Sequence, residues 1–171
     1  MSLSLPVFQS FRNRVDERSG SLSHLHAKHL SCKPGCHDCC TDFGVFPVEY
    51  HAILSELRIA NVTLPPPDPN ASCAFLQNGL CAIYEHRPII CRTHGLPVAF
   101  ADDEEGTMNV DFCPKNFTEA SPEALQFDGG NTLNLDQLNF ELYEINTQYV
   151  ESREALPQRI PLRQLHEDLK R

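Results

Sequence analysis

The sequence has no tryptophan, only two methionines, and few positive charges for its length. The 171 residues include 23 aspartates and glutamates but only 14 lysines and arginines, so the formal net charge is −9. A negative chain repels phosphate backbones and anionic lipid headgroups. We therefore expect no nucleic-acid partner and no attachment to a membrane, and the sequence identifies no protein partner.

Long apolar runs are also missing. No stretch approaches the roughly 20 apolar residues of a membrane-spanning helix. The first twenty residues have Pro6 and Gln9 inside their apolar part and charges soon after, unlike a secretion signal. These absences predict a cytoplasmic protein, whose thiols are kept reduced.

Familiar catalytic signatures are absent as well. The chain has no G-x-S-x-G, no phosphate-binding glycine loop and no G-x-G-x-x-G, and His166-Glu167 lacks the second histidine of H-E-x-x-H. The acidic run at 102–105 is more typical of a solvated loop than of a hard-cation site. Whether the protein is an enzyme stays open, and the only chemistry these residues indicate is that of a bound metal.

Cysteine is what the sequence has in excess. All eight cysteines lie in the middle of the chain, at Cys32, Cys36, Cys39, Cys40, Cys73, Cys81, Cys91 and Cys113. In a reducing compartment, clustered cysteines are more often metal ligands or redox groups than disulfides. A disulfide framework is the weaker alternative. A chain this long buries roughly 70% of its unfolded surface on folding, so it does not need disulfide cross-links to be stable.

The densest segment is CKPGCHDCC, which has a C-x3-C-x2-C-C spacing. Zinc and iron need several soft thiolates at one point, and Pro34-Gly35 permits the sharp turn that convergence requires. If the following residues are helical, Cys36 shares a face with Cys39 and Cys40. The adjacent pair should still point in different directions, so that one of them serves a second centre or stays unligated.

The second cysteine-rich segment is CAFLQNGLCAIYEHRPIICRTHG, followed by Cys113-Pro114. Together with the first segment, this order of motifs resembles the CxxCxxCC cysteine-cluster family of zinc- or iron-chelating proteins, whose members are often described as iron–sulfur proteins. The resemblance implies that all eight cysteines are candidate metal and cofactor ligands. One departure is the first spacing, which is x3 here and x2 in the family's name.

Three occupancies are compatible with eight thiolates: two four-thiolate zinc sites, one [4Fe–4S] cluster with four cysteines left over, or two clusters. The spacing matches neither zinc-finger C-x2-C pairs nor a ferredoxin run, so the choice between zinc and iron stays open. Positive side chains beside the cysteines, Lys33, Arg87 and Arg92, could offset the negative charge of the site. The alternative is that they are ordinary surface charges.

Histidines flank the cysteines and are further candidate ligands, since neutral imidazole binds both metals. They are His24, His26, His29, His37, His86 and His94, of which His37 and His94 are the strongest candidates. The alternative is a surface role. The leading interpretation is a metal-binding protein, and its rivals are an iron–sulfur oxidoreductase or electron carrier and a module for metal delivery or storage.

The predicted fold is α+β and a single domain, 1–171, in which helices surround a small, loop-rich, cysteine-centred core with short β-hairpins. A helical segment (1–31) precedes the core (32–115), and another (116–171) follows it. The expected helices are two short ones within 8–30, broken at Ser19-Gly20-Ser21, one at 47–60, one from about Leu135 to Tyr149, and one at 161–169.

The remaining elements are extended. The proline-rich run 64–70 is a connector, and hairpins are expected at 73–84, around Asn78-Gly79, and at 96–112, with an acidic tip. The long C-terminal helix has an apolar stripe and a capping box formed by Asn134 and Gln137. The stripe predicts core packing, with a dimer seam as the alternative.

Overall fold

The computed structural model describes residues 4–102, 106–121, 125–151, 153 and 158–171. Within them the helices are α1 (Ser4–Leu25), α2 (Pro47–Ile59), α3 (Ile89–Thr93), α4 (Leu135–Glu151) and α5 (Leu165–Asp168). The strands are β1 (Gly44–Val45), β2 (Leu76–Gln77), β3 (Leu80–Cys81), β4 (Val98–Asp102), β5 (Thr107–Asp111), β6 (Leu133–Asn134) and β7 (Ile160–Pro161). The α+β class is confirmed.

Helix α1 is continuous, so the prediction of two short helices in this region is wrong. Gly20 is exposed and sits within the helix, where a Cβ would meet nothing within 4 Å. Ser21 donates its hydroxyl to the Glu17 carbonyl one turn earlier. Leu22, beyond the glycine, is fully buried, and tertiary packing on the same helix face outweighs the weak propensity of the Ser-Gly-Ser segment.

Helix α2 begins at Pro47 and ends at Ile59, which confirms the predicted helix. Proline suits the first turn of a helix because backbone N–H groups there have no carbonyl partner within the helix, and proline has no N–H to leave unpaired. The helix lies between two apolar clusters. Val48 and Ala52 pack with α1 and α4, whereas Ile53 and Leu57 pack in a second cluster with the cysteine-bearing hairpin and the C-terminal segment.

Helix α4 starts as predicted, because the Asn134 side-chain oxygen accepts the backbone N–H of Gln137 at 2.9 Å. Its stripe is buried at Leu142, Ile145 and Tyr149, in the cluster shared with α1 and α2. The interpretation of the stripe as a core face is confirmed.

Both predicted hairpins are present. Strands β2 and β3 pair around Asn78 and Gly79, whose φ angles of 50° and 79° suit a two-residue turn. Strands β4 and β5 pair from Val98 opposite Asp111 to Asp102 opposite Thr107. Strand β6 lies parallel to β4 on its other side. Most of the predicted acidic tip, 103–105, lies outside the described residues.

The C-terminal segment differs from the predicted helix over 161–169. Strand β7 pairs antiparallel with β1, a 3₁₀ turn follows at Leu162–Gln164, and only α5 is α-helical. The backbone N–H of Leu162 donates to the Phe43 carbonyl at 3.0 Å, so pairing with a distant strand replaces the first helical turn. The segment thereby covers the loop that follows Cys40.

The proline-rich connector also follows expectation, since 62–68 form neither helix nor strand. Among the helices in the described part of the chain, none combines the length and the apolar character that crossing a bilayer requires.

Candidate metal centre

The first cysteine segment is built from two consecutive tight turns. The N–H of Cys36 donates to the Lys33 carbonyl, and the N–H of Cys40 donates to the His37 carbonyl, each at 2.9 Å. Gly35 has a φ of +90°, a backbone conformation that side chains with a Cβ rarely adopt. The helical alternative for this segment is therefore wrong, and turns instead of a helix present its thiols.

Cys39 interacts electrostatically with three other cysteines, and we call Cys32, Cys36, Cys39 and Cys113 the outer group. A Cβ built on Gly95 would lie 3.0 Å from the Cys32 sulfur and 3.7 Å from the Cys113 Cβ, which places these two cysteines side by side. Burial raises the pKa of Cys39, and the thiols of Cys36, Cys32 and Cys113 raise it further.

The other four thiols, Cys40, Cys73, Cys81 and Cys91, form what we call the inner group. Strand pairing places Leu76 opposite Cys81, and the Leu76 N–H donates to the Cys73 carbonyl at 3.0 Å. Burial raises the pKa of Cys91 to about 12, and the thiols of Cys81, Cys73 and Cys40 add to the rise. Burial also raises the pKa of Cys40 to about 11, with further contributions from Cys39, Cys73 and Cys81.

The adjacent pair Cys39 and Cys40 lies where the two groups meet. Apart from each other, the two thiols interact with different cysteines, Cys39 with the outer group and Cys40 with the inner group. The electrostatic interactions between the thiols thus divide the eight cysteines into two groups of four.

The chemistry of this donor set fits zinc or iron. All eight cysteines are free thiols, and four converging soft donors are what a tetrahedral zinc or an iron site uses. Crowded thiols disfavour one another's ionisation, and a bound cation reverses this effect. In the described part of the chain, no three histidine, cysteine, aspartate or glutamate side chains already stand at metal-binding positions. The ligand assignment therefore stays a prediction.

Asn116 supports the outer group and was not identified from the sequence. Its side-chain oxygen accepts the N–H of Ser31 at 2.8 Å, and its amide nitrogen donates to the Gly95 carbonyl at 2.6 Å. The same nitrogen lies 3.8 Å from the Cys32 sulfur. Asn116 is only 2% exposed, and a side-chain amide can both donate and accept. Its closeness to Cys113 in the sequence was the only available signal.

Asp42 supports the inner group as Asn116 supports the outer group, and it too was not identified from the sequence. Its backbone N–H donates to the Ser72 carbonyl, and its side chain accepts the Ala74 N–H, both at 3.0 Å. These bonds join the loop after Cys40 to the residues on either side of Cys73. Asp42 also forms an ion pair with Arg163 of the C-terminal segment.

Several of the histidine candidates contact groups other than thiols. The His26 ring bonds the Asn131 carbonyl at 2.8 Å, the His29 ring stacks on Phe117, and His86 bonds Glu56 at 3.0 Å. The rest are His24, which is exposed near the end of α1, His37, whose ring packs beside Gly79, and His94, which is exposed after α3. Their role as ligands stays a prediction.

The positive side chains divide into those near thiols and those with other partners. Arg87 stacks over Tyr84 and partly offsets the rise in pKa that burial gives Cys81 and Cys91. Arg92 instead donates to Asp16 at 2.7 Å and to the carbonyls of Arg87 and Glu85.

Two lysines flank the outer group. Lys115, which was not singled out from the sequence, lies near Cys36 and Cys113 and pairs with Asp38. Lys33 is exposed in the first turn.

Comparison with known proteins identifies the cysteine-bearing part of the chain. Residues 31–114 match the family model CxxCxxCC, described as a putative zinc- or iron-chelating domain. The match contains all eight cysteines and confirms the resemblance predicted from the sequence. Neither the curated proteins nor the solved structures include a match to the chain.

Proposed function

We propose that residues 31–114, which match the CxxCxxCC family model, bind zinc or iron at two four-thiolate sites. The outer site consists of Cys32, Cys36, Cys39 and Cys113. The inner site consists of Cys40, Cys73, Cys81 and Cys91. The observation that carries the proposal is the sorting of the thiols into two sets of four, with the division falling between adjacent residues.

Both metals suit a four-cysteine site. Zinc takes four thiolates in tetrahedral geometry, and iron–sulfur clusters are held by four cysteines. Two zinc ions with eight thiolates leave a charge of about −4, and Arg87 and Lys115 lie near enough to offset part of it. A [4Fe–4S] cluster on four thiolates leaves about −2.

The first role of the metal is to hold loops together. Apart from Cys91 on α3, the cysteines lie on turns, loops and short strands, and polar residues such as Asn116 and Asp42 help to connect these segments. A metal bound to four cysteines supplies cross-links between the segments that carry them. Free thiols also require a reducing environment, which supports a cytoplasmic location.

Metal analysis tests the function and identifies the metal. The protein is purified without oxygen and without a metal-affinity column, and its metals, acid-labile sulfide and visible spectrum are measured. Two zinc ions per chain without colour support two structural or metal-handling sites. A brown protein with iron and sulfide supports clusters, and reversible bleaching by dithionite then supports a redox role. Protein without stoichiometric zinc or iron contradicts the proposal.

Serine variants test the ligand assignment. We expect the largest losses of metal from replacement of Cys36, Cys39, Cys81 or Cys91, because each loses one soft donor from a set of four. Thr41→Ala is a matched control, since Thr41 is exposed and adjoins Cys40 without belonging to either site. Full metal content in all four cysteine variants contradicts the assignment.

A further inference from the structure

The outer and inner groups differ in their access to solvent. Cys32 and Cys39 of the outer group are exposed, and the other two outer cysteines are half-buried. All four inner cysteines are half-buried. A donor arriving from solution therefore reaches a metal at the outer group more directly than one at the inner group.

The two groups also differ in what must move when a metal leaves. Cys73 and Cys81 pack against the apolar cluster that contains Phe75 and Ile83, which are 1% and 2% exposed. Separating the inner ligands exposes this apolar surface to water, which opposes the opening of the inner group.

The part of the outer group that carries Cys32, Cys36 and Cys39 is held by turns and polar contacts, whereas Cys113 lies beside the packed rings of Phe112 and Phe117. These turns lie at the surface, where Asp38 and Lys115 form an exposed ion pair, and exposed pairs contribute little to stability. The buried Asn116 side chain joins Ser31 to Gly95 behind these turns through two hydrogen bonds. Local opening of these turns disturbs less apolar packing than opening of the inner group.

We propose that the outer group is an exchangeable metal site, from which an acceptor bearing several thiols takes the ion, whereas the inner group keeps its ion as part of the fold. This inference rests on the proposed function. In each exchange step a bond from the metal to a cysteine sulfur is replaced by a bond to an acceptor sulfur. The acceptor's thiol proton passes to the released cysteine, and the metal keeps its charge. Lys33 and Lys115, beside the outer group, favour the approach of an acceptor with negative charge.

The experiment measures how fast each ion leaves. The full chain, loaded with two zinc ions, is mixed with excess 2,3-dimercaptopropane-1-sulfonate, an anionic dithiol, and ions per chain are counted over time by native mass spectrometry. We expect one ion to leave at least about tenfold faster than the other, because only one site opens without exposing the core. In Cys32→Ser the fast ion should be missing, and in Cys91→Ser the slow ion.

If Cys91→Ser does not fold, alkylation of the wild-type chain during zinc release distinguishes the two sites without variants. N-Ethylmaleimide should label Cys32 and Cys39 in the fast phase, and Cys81 and Cys91 only in the slow phase. Release of both ions at one rate, or early labelling of Cys81 and Cys91, overturns the inference but leaves two-site binding intact. A chain that never holds two ions contradicts the proposed function and the inference together.

Discussion

Asn116 connects three segments at the outer group. It joins the backbone at Ser31, the carbonyl of Gly95 and the sulfur of Cys32, while its own N–H donates to the Cys113 carbonyl at 2.8 Å. Hydrogen bonds of this kind orient metal ligands and tune their donor strength. The residue is therefore a positioning residue of the proposed outer site.

Replacing this amide with a carboxylate tests that role. Asn116→Asp keeps a side-chain acceptor for the Ser31 N–H. It loses the two hydrogen bonds that the side-chain amide donates, to the Gly95 carbonyl and to the Cys32 sulfur, and adds a negative charge near Cys32. We expect outer-site affinity to fall by about 10- to 100-fold, with the inner site unchanged, as measured by competition with a chelator. Asn70→Asp, the same change at an exposed position, is the control. Equal effects of the two variants would contradict the assignment.

Glu49 is a buried ionisable residue that contacts α3, the helix that carries Cys91. Its carboxylate accepts the Ile89 N–H at 3.0 Å, and burial nevertheless raises its pKa to about 7. Because the pKa is higher in the folded chain than in the unfolded one, the folded state holds the proton more tightly. Stability should therefore fall as pH rises from about 4.5 to about 7.

A glutamine variant isolates this pH dependence. Glu49→Gln mimics the protonated side chain, so its stability should not fall with pH as that of the wild type does. The variant's free energy of unfolding should therefore exceed that of the wild type by an amount that grows up to about pH 7 and reaches up to about 3 kcal/mol. Denaturant unfolding of both proteins at the same pH cancels effects shared with the thiols. Glu17→Gln, at an exposed position, is the control. A difference that does not change with pH would contradict the buried carboxyl's role.

At the scale of secondary structure, local patterns predicted the elements that depend on near neighbours. Asn78-Gly79 indicated the β2–β3 hairpin, Asn134 indicated the start of α4, and Pro47 indicated the start of α2. The errors involve distant contacts. Helix α1 continues past Gly20 because Leu22 packs in the core, and β7 replaces a helical turn because it pairs with β1.

The continuity of α1 leads to a stability prediction. Gly20 is exposed, and a Cβ there meets nothing, so Gly20→Ala should raise the free energy of unfolding by about 0.5–1 kcal/mol through a smaller loss of backbone entropy. Denaturant unfolding measures the change. Gly35→Ala is the opposite case, because its φ of +90° strains alanine, and we expect destabilisation of about 1 kcal/mol. Destabilisation by Gly20→Ala would indicate a helix break at this position.

The candidate site was predictable as a list of residues but not as an arrangement. Thiol density indicated metal binding, but which cysteines group together depends on the folding of distant loops. Cys113 follows β5 and joins Cys32 near Gly95, whereas Cys91 lies on α3 and joins Cys40. Asn116 and Asp42 were missed because single asparagines and aspartates carry no sequence pattern that distinguishes a ligand support from a surface residue.

At the scale of the whole molecule, the packing of the three long helices is largely distinct from the cysteine-bearing loops. The apolar cluster shared by α1, α2 and α4 contains no cysteine, whereas the cysteines of the proposed sites, apart from Cys91 on α3, lie in the loops around 31–46, 71–84 and 111–117. Removal of the metal should therefore loosen the loops more than the three long helices.

Hydrogen exchange with and without a chelator tests this separation. We expect faster amide exchange in the three loop regions, with exchange in α1 and α4 changed much less. The same chelator added to a variant lacking Cys36 and Cys81 is the control, and we expect it to have little further effect. Uniform acceleration along the chain would indicate that the metal is required for the whole fold, and no acceleration would exclude a structural role for it.

The central claim is the division of eight thiols into two sites at the boundary between Cys39 and Cys40. Native mass spectrometry of Cys39→Ser, Cys40→Ser and the double variant, each supplied with excess zinc, tests it most directly. We predict one tightly held ion in each single variant and none in the double variant. Two tightly held ions in either single variant, or the loss of both ions from each, would contradict the account.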